Sequence, residues 1–75
     1  MNNIDIANKI ATETNGNVWT AKNSAGDVTK IRVYHDKGCY AEINNDGVNI
    51  DKVGRNKYDD VKTVCNTLGV TTYRR

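Results

Sequence analysis

The chain has 75 residues, of which 37% are hydrophobic and 27% charged, with a formal net charge of +2. That length leads us to expect one domain, 1–75, without room in it for a second lobe or a regulatory tail. Its large aliphatics, six Ile, eight Val and one Leu, join one Trp and four Tyr in a small core, which favours a binding surface over a deep catalytic pocket.

From Asn3 to Asn15, Ile6, Ala7, Ile10, Ala11 and Thr14 fall on one helical face, opposite Asp5, Asn8, Lys9 and Glu13. Asn2 or Asn3 supplies the N-cap, Met1 is placed to staple onto Ile6, and Asn15-Gly16 ends the helix with Gly in the left-handed position. The period then changes to two. The run 17–23 meets 27–35 across Ser24-Ala25-Gly26, and that strand meets 39–44 across Asp36-Lys37-Gly38. Both linkers end in Gly, as three-residue hairpin loops do.

Centring the second loop on Lys37 pairs His35 with Cys39, Tyr34 with Tyr40, Val33 with Ala41, Arg32 with Glu42 and Ile31 with Ile43. Centring the first on Ala25 pairs Trp19 with Ile31, Thr20 with Lys30 and Val18 with Arg32. Trp19, Ile31 and Ile43 then form an inner row. Asp46-Gly47 reads as a two-residue hairpin turn leading to a fourth short strand, with Ile50 opposite Ile43 and Val48 on the same inner face. A second helix starts near Asn56, capped by that side chain. It runs to Leu68 before Gly69 with Tyr58, Val61, Val64, Cys65 and Leu68 inward. The β-prone tail 70–75 either adds an edge strand or frays. The fold class is α+β: a helix, an antiparallel meander of three to four strands and a helix, with both helices on one sheet face.

Catalytic and metal motifs are weak. His35 beside Asp36 and across from Cys39 is the one arrangement that resembles a nucleophile and base, but it lies at a hairpin tip with no third group. Counted from Asn44, the stretch 44–55 places Asn49 sixth and Arg55 twelfth, where a calcium loop needs Gly and Glu. Asp59-Asp60 at a helix start suit the helix dipole. Cys39 and Cys65 stand apart from any metal-ligand spacing and read as small buried hydrophobes. No enzyme activity and no cofactor is expected. With no apolar run of membrane-spanning length and no basic segment leading into an apolar one, the expected location is the cytoplasm.

The outer face of the sheet is the candidate site. By this register it carries Thr20, Lys22, Lys30, Arg32, Tyr34, Tyr40 and Glu42, and both helices lie on the other side. Exposed tyrosines flanked by Arg suit a partner interface, while the same pairs also serve as good cross-strand contacts. With Lys22, Lys30, Arg32, Lys37, Arg74 and Arg75 the face could instead stack bases and follow phosphates. A strand edge left open, or the tyrosines themselves, makes a homodimer as compatible as a monomer.

The helix, three strands, helix order is similar to that of double-stranded-RNA-binding domains, with Gly54-Arg55-Asn56-Lys57 where that family enters its second helix. That family presents a lysine cluster there, whereas this chain continues Tyr58-Asp59-Asp60, whose carboxylates repel phosphates. The opening Met1-Asn2-Asn3-Ile4-Asp5, the short helix, the meander with Ile31-Arg32-Val33, the Asn44-Asn45-Asp46-Gly47 turn and the closing helix resemble the plan of small phage anti-CRISPR proteins. That resemblance implies a stoichiometric inhibitor from a phage or mobile element that blocks a host nuclease complex by protein contact. Acidic nucleic-acid mimicry, used within that group, does not suit a chain of charge +2.

Overall fold

A computed structural model describes residues 1–75. The chain order is α1 (Asn3–Thr14), β1 (Asn17–Lys22), β2 (Val28–Asp36), β3 (Cys39–Asn44), β4 (Gly47–Asn49), α2 (Arg55–Leu68) and β5 (Thr72–Tyr73). The strands form one sheet in the order β1-β2-β3-β4-β5, with every pairing antiparallel except β4 with β5. The tail therefore adds a parallel edge strand to the meander. Parallel pairing needs a crossover, and α2 supplies it between β4 and β5.

Both helices cover one face. Ile6, Ala7, Ile10 and Ala11 of α1 and Val61 and Cys65 of α2 close over Ile31, Val33, Ala41, Ile43 and Val48 of the sheet, with Ile50 and Val53 filling the margin. Tyr58, Val64 and Leu68 pack against this cluster half-buried, which completes the expected inward stripe of α2. Fully buried Ile10, Val33, Val48 and Val61 each contribute roughly 1.5–3 kcal/mol of burial. The core holds no aromatic ring.

The helix ends differ in detail from expectation. Asn2 caps α1, its side chain accepting from the Asp5 N–H at 2.8 Å, but Met1 is 77% exposed and staples nothing. Asn15, not Gly16, takes the left-handed position, at φ 59°. Gly16 is needed for a different reason: a Cβ there would lie 2.6 Å from Val33 Cγ1. Helix α2 starts at Arg55 after Gly54, with no side-chain cap from Asn56.

The four central pairs of β2 with β3 are those expected, Ile31 with Ile43 through Tyr34 with Tyr40. At the tip Asp36, not His35, faces Cys39, which makes His35 an extra residue in β2. The turn to β4 is Asn45-Asp46, so Val48 and not Ile50 stands opposite Ile43. The largest correction concerns β1. Lys22 pairs with Val28 as the loop geometry demands, then Thr29 is skipped and Ala21 pairs with Lys30. From that bulge onward β1 is displaced by one residue: Thr20 faces Ile31, Trp19 faces Arg32 and Val18 faces Val33. A one-residue slip exchanges the faces of a strand, so Trp19 leaves the core side and Val18 and Thr20 join it.

Candidate partner-binding face

The bare side of the sheet carries one complete row of directly opposed residues across all five strands: Trp19, Arg32, Glu42, Asn49 and Tyr73. A second row beside it runs Asn17, Tyr34 and Tyr40. Together they bring four of the five aromatic side chains of the chain to one surface.

Arg32 organises this surface. Its Nε donates to Glu42 Oε1 at 2.8 Å, and its Nη1 donates to the Tyr34 hydroxyl at 2.9 Å. Its guanidinium lies 4.1 Å from the centre of the Tyr40 ring and 5.4 Å from that of Trp19. The hydrogen bond to Glu42, then that to Tyr34, raise the pKa of Arg32 further above its already high ordinary value. The rings touch one another as well. Trp19 meets Tyr34 edge-on with centroids 6.0 Å apart, and Tyr34 lies tilted against Tyr40 at 5.2 Å.

Of the residues expected at the site, Arg32, Tyr34, Tyr40 and Glu42 converge in this cluster, half-buried, and Lys30 extends it, exposed and opposite Ala21. Thr20 and Lys22 do not belong to it. The alternation of β1 turns them toward the helix-bearing side, because the bulge at Thr29 reverses the faces of that strand relative to β2. Trp19 takes their place, 42% exposed. Tyr73 is a second residue that sequence reasoning did not place: the Asn44 side-chain amide donates to its hydroxyl, and the Arg75 guanidinium lies 4.9 Å from its ring centre. Its signal was the β-prone tail, whose partner strand could not be read.

The remaining chemistry-bearing groups lie elsewhere. The bulge aims His35 at α1, where its Nε2 stands 2.6 Å from the Thr14 hydroxyl. That hydroxyl donates to the Ile10 carbonyl at 2.6 Å, so Nε2 donates to Thr14 and Nδ1 is left a buried acceptor without a partner. Burial, and then the charge of Lys57, lower the His35 pKa. Lys57 in turn donates to the Thr14 carbonyl at 2.9 Å, tying α2 to the end of α1. Cys39 has Asp36 across the ladder in place of the expected His35, and Cys65 is buried with its thiol pushed up to about 11. No group of three or more His, Cys, Asp or Glu side chains could hold a metal ion, and no helix is long and apolar enough to cross a membrane.

Comparison with protein-family models, curated proteins and solved structures found no match to this chain.

Proposed function

We propose that the protein is a non-catalytic binding module that docks the outer face of its sheet onto a partner protein. The observation that carries this reading is the contiguous Trp19, Tyr34, Tyr40 and Arg32 surface on a sheet face that neither helix covers. Trp, Tyr and Arg dominate the energetics of protein interfaces, because they bring large contact area with few rotors and carry a polar end. Here the rings and the guanidinium are already fixed by their own contacts, which lowers the entropy lost on docking.

The layout resemblance to small phage anti-CRISPR proteins gives the finer proposal: a phage-derived or mobile-element inhibitor, acting in the cytoplasm of a bacterial host, whose partner is a nuclease complex. A plasmid-interference assay with CRISPR nucleases tests it. The wild type protects the target plasmid, and a Trp19→Thr, Tyr34→Thr double variant that still folds does not. Affinity for the captured complex falls at least about a hundredfold, as expected when two anchors are truncated. A folded double variant that binds and protects as well as the wild type sinks the proposed face.

Nucleic acid is the rival partner. Arg32 has its charge committed to Glu42 and Arg74 lies beside Asp51, which leaves Lys30, Lys37 and Arg75 as the cations of that footprint without an ion pair once Lys22 turns to the other side. That is a sparse footprint for a phosphate backbone. Binding to generic DNA or RNA that weakens steeply with salt would replace the protein-docking reading.

A further inference from the structure

The sheet ends on one side at β1, whose single neighbour is β2. Alternation decides which of its main-chain groups are free. Asn23 donates its N–H to the Asp27 carbonyl at 2.9 Å, and the Thr29 hydroxyl donates to the Ala21 carbonyl at 3.3 Å, so the odd-numbered residues aim their backbone at β2. The N–H and C=O groups of Val18 and Thr20 therefore point out of the sheet, with no strand to receive them. The usual devices that blunt such an edge are confined to its far end, at Lys22 and the bulge. Residues 17–21 contain no proline and no charge, and the bulge in the pairing with β2 lies beyond Ala21. Val18 and Trp19 are 36% and 42% exposed, one on each face of the strand.

We infer that β1 is a self-association edge that joins two copies of this chain, antiparallel, about a twofold axis at Trp19. The register follows from the free groups. Val18 faces Thr20 of the second copy and Thr20 faces its Val18, each pair exchanging both N–H···O=C contacts, with the two Trp19 residues opposed at the non-hydrogen-bonded position between them. Centring the axis on Thr20 would require Lys22, beyond the bulge, to pair with Val18. In the Trp19-centred register Lys22 falls opposite Gly16, so like charges do not meet. A second copy thus satisfies the outward groups of Val18 and Thr20. The two sheets become one, and the Trp19, Tyr34 and Tyr40 clusters of both copies meet at the paired Trp19 rings on one face.

Sedimentation velocity of the full chain across a wide concentration range tests this, alongside the emission of Trp19, the one tryptophan. A monomer–dimer equilibrium is expected, with the emission moving to shorter wavelength as the dimer forms. Thr20→Pro deletes an outward N–H that the β1–β2 ladder does not use. It should keep the far-UV spectrum and melting temperature while weakening dimerisation at least about tenfold. Trp19→Lys and Trp19→Glu should each be monomeric, since like charges then face each other, and an equimolar mixture should recover a heterodimer. A monomer at every concentration overturns the proposal. So does a folded Thr20→Pro variant that dimerises as tightly as the wild type, or a Lys/Glu mixture that stays monomeric. Should Thr20→Pro fail to fold, the Lys/Glu pair decides alone.

Discussion

Replacing Arg32 with Met keeps the aliphatic stem over the sheet and removes its three closest polar interactions at once: the ion pair with Glu42 at 2.8 Å, the hydrogen bond to Tyr34 at 2.9 Å and the stacking on Tyr40 at 4.1 Å. The Arg32 and Glu42 side chains are only 19% and 29% exposed, so their pairing is less screened than on an open surface. A partly shielded charge-assisted bond, a hydrogen bond and one cation–π contact together stabilise the fold by about 2 kcal/mol. For a domain of this length that corresponds to a fall in Tm of roughly 8–16 °C. Glu42→Gln should cost about half as much, and the double variant less than the sum of the two, with a coupling of about 1 kcal/mol that shrinks as salt is added. Thermal unfolding at low and high salt measures this cycle, and near-UV circular dichroism reports whether the Trp19–Tyr34 edge contact loosens with Arg32 gone. Additive single variants with an unchanged near-UV spectrum would refute the role of Arg32 as organiser of the face.

Burial and the Lys57 charge hold the His35 pKa below its ordinary 6.5, so below that pH the unfolded chain takes up a proton that the folded chain resists. Stability is therefore full above 6.5 and declines as pH falls from 6.5 toward the folded-state value, a slope that urea midpoints should show and His35→Gln should flatten. Gly47→Ala places a Cβ against the Thr71 carbonyl at a φ of 132° and should cost at least about 2 kcal/mol by prising β5 from β4. Amide exchange checks it, through faster exchange at Val48 and Ile50, whose N–H groups donate to Thr71 and Tyr73. Of the two thiols, half-buried Cys39 should alkylate in the native state, while Cys65, buried and with its pKa at about 11, should react only on unfolding. Equal native labelling rates would contradict the packing described for α2.

The helices were legible because their apolar stripes are unambiguous at the 3.6 period, and the central β2–β3 register because every apolar pair in it lands on one face. The β1 register was not. The loop from Asn23 to Asp27 does centre on Ala25, and the expected pairing holds as far as Lys22 with Val28. What failed was continuity past Thr29. A bulge of this kind calls for no obligatory residue, and hydrophobicity argued the wrong way by drawing Trp19 toward Ile31. His35 was displaced by the same device at the other end of β2, where an extra residue released its side chain from the ladder to reach Thr14. The turn before β4 was misplaced by one residue because Gly47 carries its positive φ after the turn and not within it. Val48 and Ile50 are buried in either register, so the error left no trace in the hydrophobic pattern. Tyr73 required knowing that the tail pairs in parallel with β4, a contact between distant segments that local pattern does not encode.

The distribution of aromatic rings argues that the outer face has a purpose beyond holding the meander together. Trp buries more apolar area than any aliphatic, so a small domain short of core gains by placing its indole inside, whereas a buried Tyr must also find a partner for its hydroxyl. This chain does the reverse. Its core is built from Ile, Val, Ala and Cys, Tyr58 packs at the core margin, and Trp19, Tyr34, Tyr40 and Tyr73 stand on the uncovered side of the sheet. Cross-strand pairing accounts for Tyr34 beside Tyr40, whereas Trp19 stands opposite Arg32 with its indole 42% exposed. Trp19 makes the point most directly: the bulge at Thr29 turns a residue that the core could have used out beside Arg32 and Tyr34. Stability forgone inside and contact area gained outside are the two sides of one arrangement, and it is the arrangement that the proposed docking role predicts.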